Sequence, residues 1–179
     1  MRRIAIALGA LGAVVVGVVV YFVFTRFVVY QGSVDRIVVA LPSEERDLSA
    51  AAIDVIEKLQ GNAIPWQVSR SLLAEVAPSD VTMGEWHLRG ALWQYLLPLR
   101  LRRQELVRLF AHYMVLEGGS GIAYGARHYF AKSPAALTAE EAVSLVTIAR
   151  APGMFSPERR PDRYEFMYKK LLARYHAAG

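Results

Sequence analysis

Four arginines, Arg89, Arg100, Arg102 and Arg103, crowd one stretch of this 179-residue chain. A guanidinium is a rigid planar fork that bonds phosphate through two parallel hydrogen bonds. The cluster points to a diphosphate or headgroup contact, or to a solvated basic helix face. Glu57 falls near the end of a predicted helix beside Lys58, and its local sequence reads as an exposed helix carboxylate. Glu44-Glu45 and Glu140-Glu141 are adjacent pairs, and neighbours on a helix do not face each other, so neither makes a two-carboxylate site. His87, His112, His128 and His176 show no i, i+4 ligand pair and no cysteine assists them, which points away from a metal. No cofactor is indicated, nor is a divalent cation. Trp86, Trp93 and Tyr95 form either a sugar-stacking wall or a helix core and membrane-facing wedge. Gly118–Gly121 lacks the strand and the G-K-[ST] ending of a phosphate loop and reads as a helix stop.

These residues need elements to position them. Residues 4–24 carry no charge. At about 1.5 Å per residue they cover roughly the 30 Å of a bilayer core. A secretory signal has an apolar run of only about 7–15 residues before a small-residue cleavage site. Here the run ends in Tyr21, Phe22, Phe24 and Phe27, aromatics suited to a membrane interface. The expectation is one transmembrane anchor over residues 1–27. Arg2, Arg3 and the terminal amine outweigh Arg26, which puts the N-terminus inside and the domain on the outer face of the cytoplasmic membrane. The net charge of +5 lies wholly outside residues 4–24 and favours anionic headgroups or phosphates. No nucleic-acid motif accompanies it, and the absence of cysteine leaves the chain indifferent to redox compartment.

Residues 28–46 form a connector, in which the β-branched run 28–42 reads as extended or as a short strand. Residues 47–179 turn helical. Leu48, Ala52, Val55, Ile56 and Leu59 share one face before Gly61. Pro65 opens the next helix, with Val68, Leu72 and Leu73 buried. Thr82 and Glu85 resemble a capping box for a helix that Pro98 interrupts. Residues 99–117 continue helical to the glycines, and a short helix follows through Tyr129 and Phe130. Thr138 and Glu141 make a second box for a helix ending near Arg150. A last helix opens near Pro161 and carries Phe166, Met167, Leu171, Leu172 and Tyr175. The sum is an all-α domain of six or seven short helices.

Residues 118–161 resemble a known family. Gly121-Ile122, Tyr129-Phe130, Lys132, Leu137-Thr138, Glu141-Ala142, Leu145, Pro152, Ser156 and Pro157 match, in order, the G-I-x-x-A-A-x-x-Y-F-G-K, L-T-x-x-E-A-A-x-L and P-x-x-Y-S-P segments of the family 51 glycosyltransferases. These are the peptidoglycan transglycosylase domains of class A penicillin-binding proteins and their monofunctional relatives. Upstream, residues 99–114 look like a shortened form of the family's K-x-x-I-L-E-x-Y-L-N helix, with His112 at its Asn. The R-K-x-x-E motif falls near residues 89–94, with Arg89 at the Arg and Gln94 or Trp93 at the Glu. The G-G-S-T-I-T-Q-Q motif survives as V-T-M-G-E-W at 81–86. Glu57 stands for the Glu of E-D-x-x-F-x-x-H-x-G, Lys58 replaces the Asp, and the Phe and His are missing.

The resemblance implies a lysozyme-like domain that polymerises lipid-linked disaccharide diphosphate into glycan strands. A sugar hydroxyl attacks the donor's anomeric carbon and a polyprenyl diphosphate leaves. That chemistry needs a carboxylate for the proton and cations for the diphosphate. Glu57 becomes the expected base, and Arg89, Arg100, Arg102 and Arg103 the expected diphosphate contacts. Implied partners are the lipid-linked precursor, the cytoplasmic membrane and other cell-wall synthesis proteins. The alternative is a catalytically impaired member serving as a membrane-bound scaffold or regulator. No S-x-x-K transpeptidase motif is present within these residues.

Overall fold

The computed structural model describes residues 2–178, and the side chains of residues 11–178. The Arg2 and Arg3 side chains, on which the expected orientation rests, lie outside that range. The first helix, α1, runs Arg2–Arg26. From Leu11 onward the chain holds one helical run long and apolar enough to cross a membrane. Its mean hydropathy is 2.3 and only 6% of its most apolar stretch is buried.

The extended reading of residues 28–42 is corrected. A 3-10 turn at Val28–Tyr30 leads into helix α2, Gln31–Ala40, and a short helix α3, Ser43–Arg46. β-branched residues favour strands only where a sheet accepts them. Here Val34 and Leu41 are buried in the same core as the domain, so packing overrides propensity.

Seven further helices follow: α4 (Ala50–Gln60), α5 (Ile64–Val76), α6 (Met83–Arg100), α7 (Arg103–His112), α8 (Ile122–Phe130), α9 (Ala139–Arg150) and α10 (Pro161–Ala177). Two-residue strands β1 (Val115–Leu116) and β2 (Gly119–Ser120) pair antiparallel across the Gly118 turn. The all-α expectation stands, with two boundary corrections. Helix α6 continues through Pro98 to Arg100, and the helical reading of 99–117 shortens to α7. A proline removes one backbone donor, and the burial of Trp93 and Leu97 holds the helix past that loss.

Local signals set the helix starts. Ser49 caps α4 by accepting from Ala52 N, and its hydroxyl donates to Leu137 O at 2.8 Å, tying the start of α4 to the α9 entry loop. Thr138 and Glu141 form a full capping box on α9. Helix α9 is the central element: Val143, Leu145, Val146 and Ile148 are buried, and α4 and α10 pack on it. Of the apolar residues that α10 carries, Leu171 is buried and Phe166 is exposed. Trp93 is fully buried, which places it in the core rather than in a sugar-stacking wall, while Tyr95 is exposed.

The last turn of α1 is fastened to α6. Trp93 Nε1 donates to Arg26 O at 2.7 Å, and the Trp93 ring meets Phe27 edge-on at 5.5 Å. Arg26 Nε lies 2.8 Å from Glu85 Oε1, an ion pair by distance rather than by hydrogen-bond alignment.

Candidate functional site

Glu57 projects from the last turn of α4. Its Oε1 accepts from Arg103 Nε at 3.1 Å, and the same guanidinium donates to Gly61 O. It lines a depression of about 390 Å³ that also holds Lys58, Arg150 and Arg174. Gln60, Ala63 and Arg150 also line an adjoining, larger cleft of about 520 Å³, walled by Trp66, Gln67, Arg70, Phe110 and Tyr113 among others. Arg70 stacks over the Trp66 ring at 5.1 Å. The two form one groove over the α4–α5 corner. A carboxylate and cations stand at one end, and amides, a guanidinium and an aromatic face at the other.

Of the four expected arginines, the structure brings only Arg103 to Glu57. Arg89 is buried and bonds Glu85 (2.7 Å) and the Tyr30 hydroxyl (2.8 Å), fixing α6 to the segment after α1. The Arg89 hydrogen bond, with the charges of Arg89 and Arg26, holds the Glu85 carboxyl below its usual range against its desolvation. Arg100 makes a two-oxygen contact with Asp35 on α2. Arg102 heads α7, its backbone N–H donating to Glu105 at 2.7 Å. Sequence reasoning missed Trp66, Arg70, Arg150 and Arg174. They come from three helices; only Trp66 and Arg70, an i, i+4 pair on α5, are linked by local spacing.

A second concavity, about 500 Å³, lies beneath α2. Ser33, Arg36, Ile37, Ala40 and Leu41 face Glu75, Val76 and His112 across it. His112 of its lining is bonded in turn to a residue outside it: the buried Glu45 Oε2 sits 2.5 Å from His112 Nδ1. That bond, opposed by burial, holds His112 above the ordinary imidazole range. Tyr113, next to His112, donates to Glu75 at 2.5 Å, and burial with this bond pushes its phenol up. The Tyr113–Glu75 contact stands between the cavity and the groove, one partner lining each. The adjacent carboxylates of α3 diverge: Glu44 pairs with Arg127 and Glu45 with His112.

Comparison with known proteins gives two results. The family profile described as Transglycosylase matches residues 48–176. Penicillin-binding protein 1C of Escherichia coli (strain K12) is 33% identical over 121 residues, 66% of this chain and 15% of that protein. The chain therefore spans about 15% of that relative's length.

Proposed function

The chain belongs to the transglycosylase family, and on that premise we propose that it handles lipid-linked disaccharide diphosphate at a membrane and joins its saccharides into glycan strands. The observation that carries this reading is the continuous groove from Glu57 through Arg150 to Trp66 and Tyr113. An aromatic face and amides suit sugar rings, and Arg150, Arg174, Lys58 and Arg70 suit diphosphate oxygens. Glu57, held by Arg103, accepts hydrogen bonds from saccharide hydroxyls at the groove's end. Arg89, Arg100 and Arg102 serve as scaffold or headgroup contacts beside the anchor.

In this reading α1 spans the cytoplasmic membrane with its N-terminus inside, and the domain lies on the outer face. The polyprenyl chain then never leaves the bilayer, and other cell-wall synthesis proteins meet the product there. A second reading, a scaffold without transfer activity, is favoured by one observation: the Glu57 carboxylate is already engaged by Arg103.

The test is polymerisation of labelled lipid-linked disaccharide diphosphate by the full chain in detergent or nanodiscs. Glycan product from the wild type, with KM raised roughly tenfold in Trp66→Ala and Arg150→Gln, supports transfer through the groove. Binding of the precursor without product, in wild type and Glu57→Gln alike, leaves the scaffold reading. An absence of both binding and product refutes the two together.

A further inference from the structure

We propose that one exposed edge of α10 binds the glycan strand as it leaves the groove, through the carboxylates of the peptides that the strand carries. The inference rests on the glycosyl-transfer reading above and adds to it the path of the product.

Helix α10 segregates its charges. Arg163, Phe166, Lys170 and Arg174 stand at i, i+3, i+7 and i+11, a spacing that puts them on one edge of the helix. All four are exposed, and Phe166 keeps 68% of its surface in water. The two carboxylates of α10, Asp162 and Glu165, lie on the other edge, where Glu165 pairs with Lys169 at 2.7 Å. Among the described residues Arg163, Lys170 and Arg174 form no ion pair. Lys170 and Arg174, four residues apart, repel each other and weaken the free helix. Arg89, Arg100 and Arg103 differ from these cations, because each is engaged by a carboxylate of the fold. The fold gives the α10 edge no such use.

The edge begins at the groove. Arg174 lines the depression that holds Glu57, Lys58 and Arg150. From Arg174 to Arg163 the edge runs roughly 16 Å at the helical rise, so it extends the groove outward. Lys170 and Arg163, seven residues apart, are separated by about 10 Å along the axis. That is the scale of one disaccharide unit. Phe166 stands between them and offers a ring face to a sugar.

The chemistry of this edge selects its occupant. A peptide that hangs from a glycan ends in a carboxylate, which is ionised at neutral pH. A strand of such units is a neutral polymer with a repeated anion, and cations alternating with an aromatic face match it. A guanidinium also holds a carboxylate through two parallel bonds. An anionic lipid surface fits less well. Helix α10 packs on α9 and α4, whereas α6 grips the end of α1.

The experiment measures binding of fluorescently labelled, uncross-linked, peptide-bearing glycan strands to the full chain in nanodiscs of zwitterionic lipid, by anisotropy. The proteins are wild type, Lys170→Glu, Arg163→Glu, Phe166→Ala and Lys169→Glu, each first checked by circular dichroism. Lys169→Glu makes the same charge change at the adjacent residue, on the other edge. Wild type should bind, and more weakly as salt rises. Kd should rise about tenfold in Lys170→Glu and in Arg163→Glu, and about threefold in Phe166→Ala. It should stay within about twofold of wild type in Lys169→Glu, and strands stripped of their peptides should bind wild type at least about tenfold more weakly. Equal effects of Lys170→Glu and Lys169→Glu overturn the edge as the site. Poly-L-glutamate of matched length binding as tightly as the strand overturns the glycan in favour of an acidic protein. Capture by phosphatidylglycerol vesicles that Lys170→Glu abolishes while strands still bind overturns it in favour of lipid. Binding is read without turnover, which separates the two readings. A wild type that polymerises the precursor but does not bind strands overturns the edge and leaves glycosyl transfer standing. A wild type that binds strands through the edge but makes no product overturns the transfer reading and the outgoing path with it.

Discussion

Replacing Trp93 by phenylalanine removes a hydrogen bond that no other group on α6 can supply. The last carbonyls of a helix have no partner within it, and Arg26 O at the end of α1 is satisfied by the Trp93 indole at 2.7 Å. Leaving that acceptor without a donor in a mostly buried position costs about 1–3 kcal/mol. The smaller ring also gives up part of its packing on Phe27 (5.5 Å) and Tyr30 (5.9 Å). By comparison with full truncations of buried aromatics, that loss adds roughly 1 kcal/mol. The sum is about 2–4 kcal/mol, or a fall in Tm of about 4–16 °C for a chain of this size. Thermal unfolding of the full chain in detergent, followed by near-ultraviolet circular dichroism, reads the change. Limited proteolysis across residues 28–46 reports whether the junction opens first. Trp86→Phe, at a half-buried tryptophan on the same helix, should shift Tm much less. A Trp93→Phe protein melting within about 2 °C of wild type would refute the assignment of this bond as the fastening of α1.

Three further outcomes follow from named positions. Ala131 ends α8 with φ +54°, where the family pattern carries glycine, and a non-glycine residue pays for that conformation. Ala131→Gly should stabilise the chain by about 0.5–1 kcal/mol, seen as a raised Tm, and a drop would contradict the strain argument. Gly121→Ala should destabilise by about 1–3 kcal/mol through its positive φ and the clash with Glu45. Denaturant unfolding measures this, and an unchanged midpoint would show that the Glu45 site is loosely packed. His112 is raised above its ordinary 6.5, so the pair's contribution to stability is complete below about pH 6.5 and is lost as pH rises through the folded value. The Tm gap between wild type and His112→Gln should be widest in acid and shrink in alkali. A gap that grows with pH would mean that His112 gains no proton affinity on folding.

What was legible in the sequence was local or periodic. Thr138 and Glu141 announce α9 because a capping box is written in four consecutive residues. Val55, Ile56 and Leu59, and Val68, Leu72 and Leu73, announce buried faces because helical spacing repeats. The family likeness around Gly121-Ile122 and Leu137-Thr138 came from the same kind of signal, residues that keep turns and helix starts. The connector failed as an extended segment because the partners of Val34 and Leu41 come from distant helices, which no window around residue 34 contains. Arg89 was read as a ligand contact and spends its guanidinium on Glu85 and Tyr30; the Glu85 contact is an ordinary i, i+4 pair that spacing could have suggested. Glu45 could not be found this way. Its partner lies 67 residues on, and its neighbour Glu44 has the same chemistry and a different destination.

The fastening of α1 to α6 has a mechanical meaning. Trp93, Glu85 and Arg89 grip the segment from Arg26 to Tyr30, so the long helix and the domain turn together as one lever. A spanning helix answers a thicker or thinner bilayer by changing its tilt, at a modest cost per ångström of mismatch. In the reading in which α1 spans a membrane, the bonds at this joint make each change of tilt pitch the domain with the helix. In that reading, bilayer thickness becomes a setting on the pitch of the domain, transmitted through one indole and one backbone carbonyl.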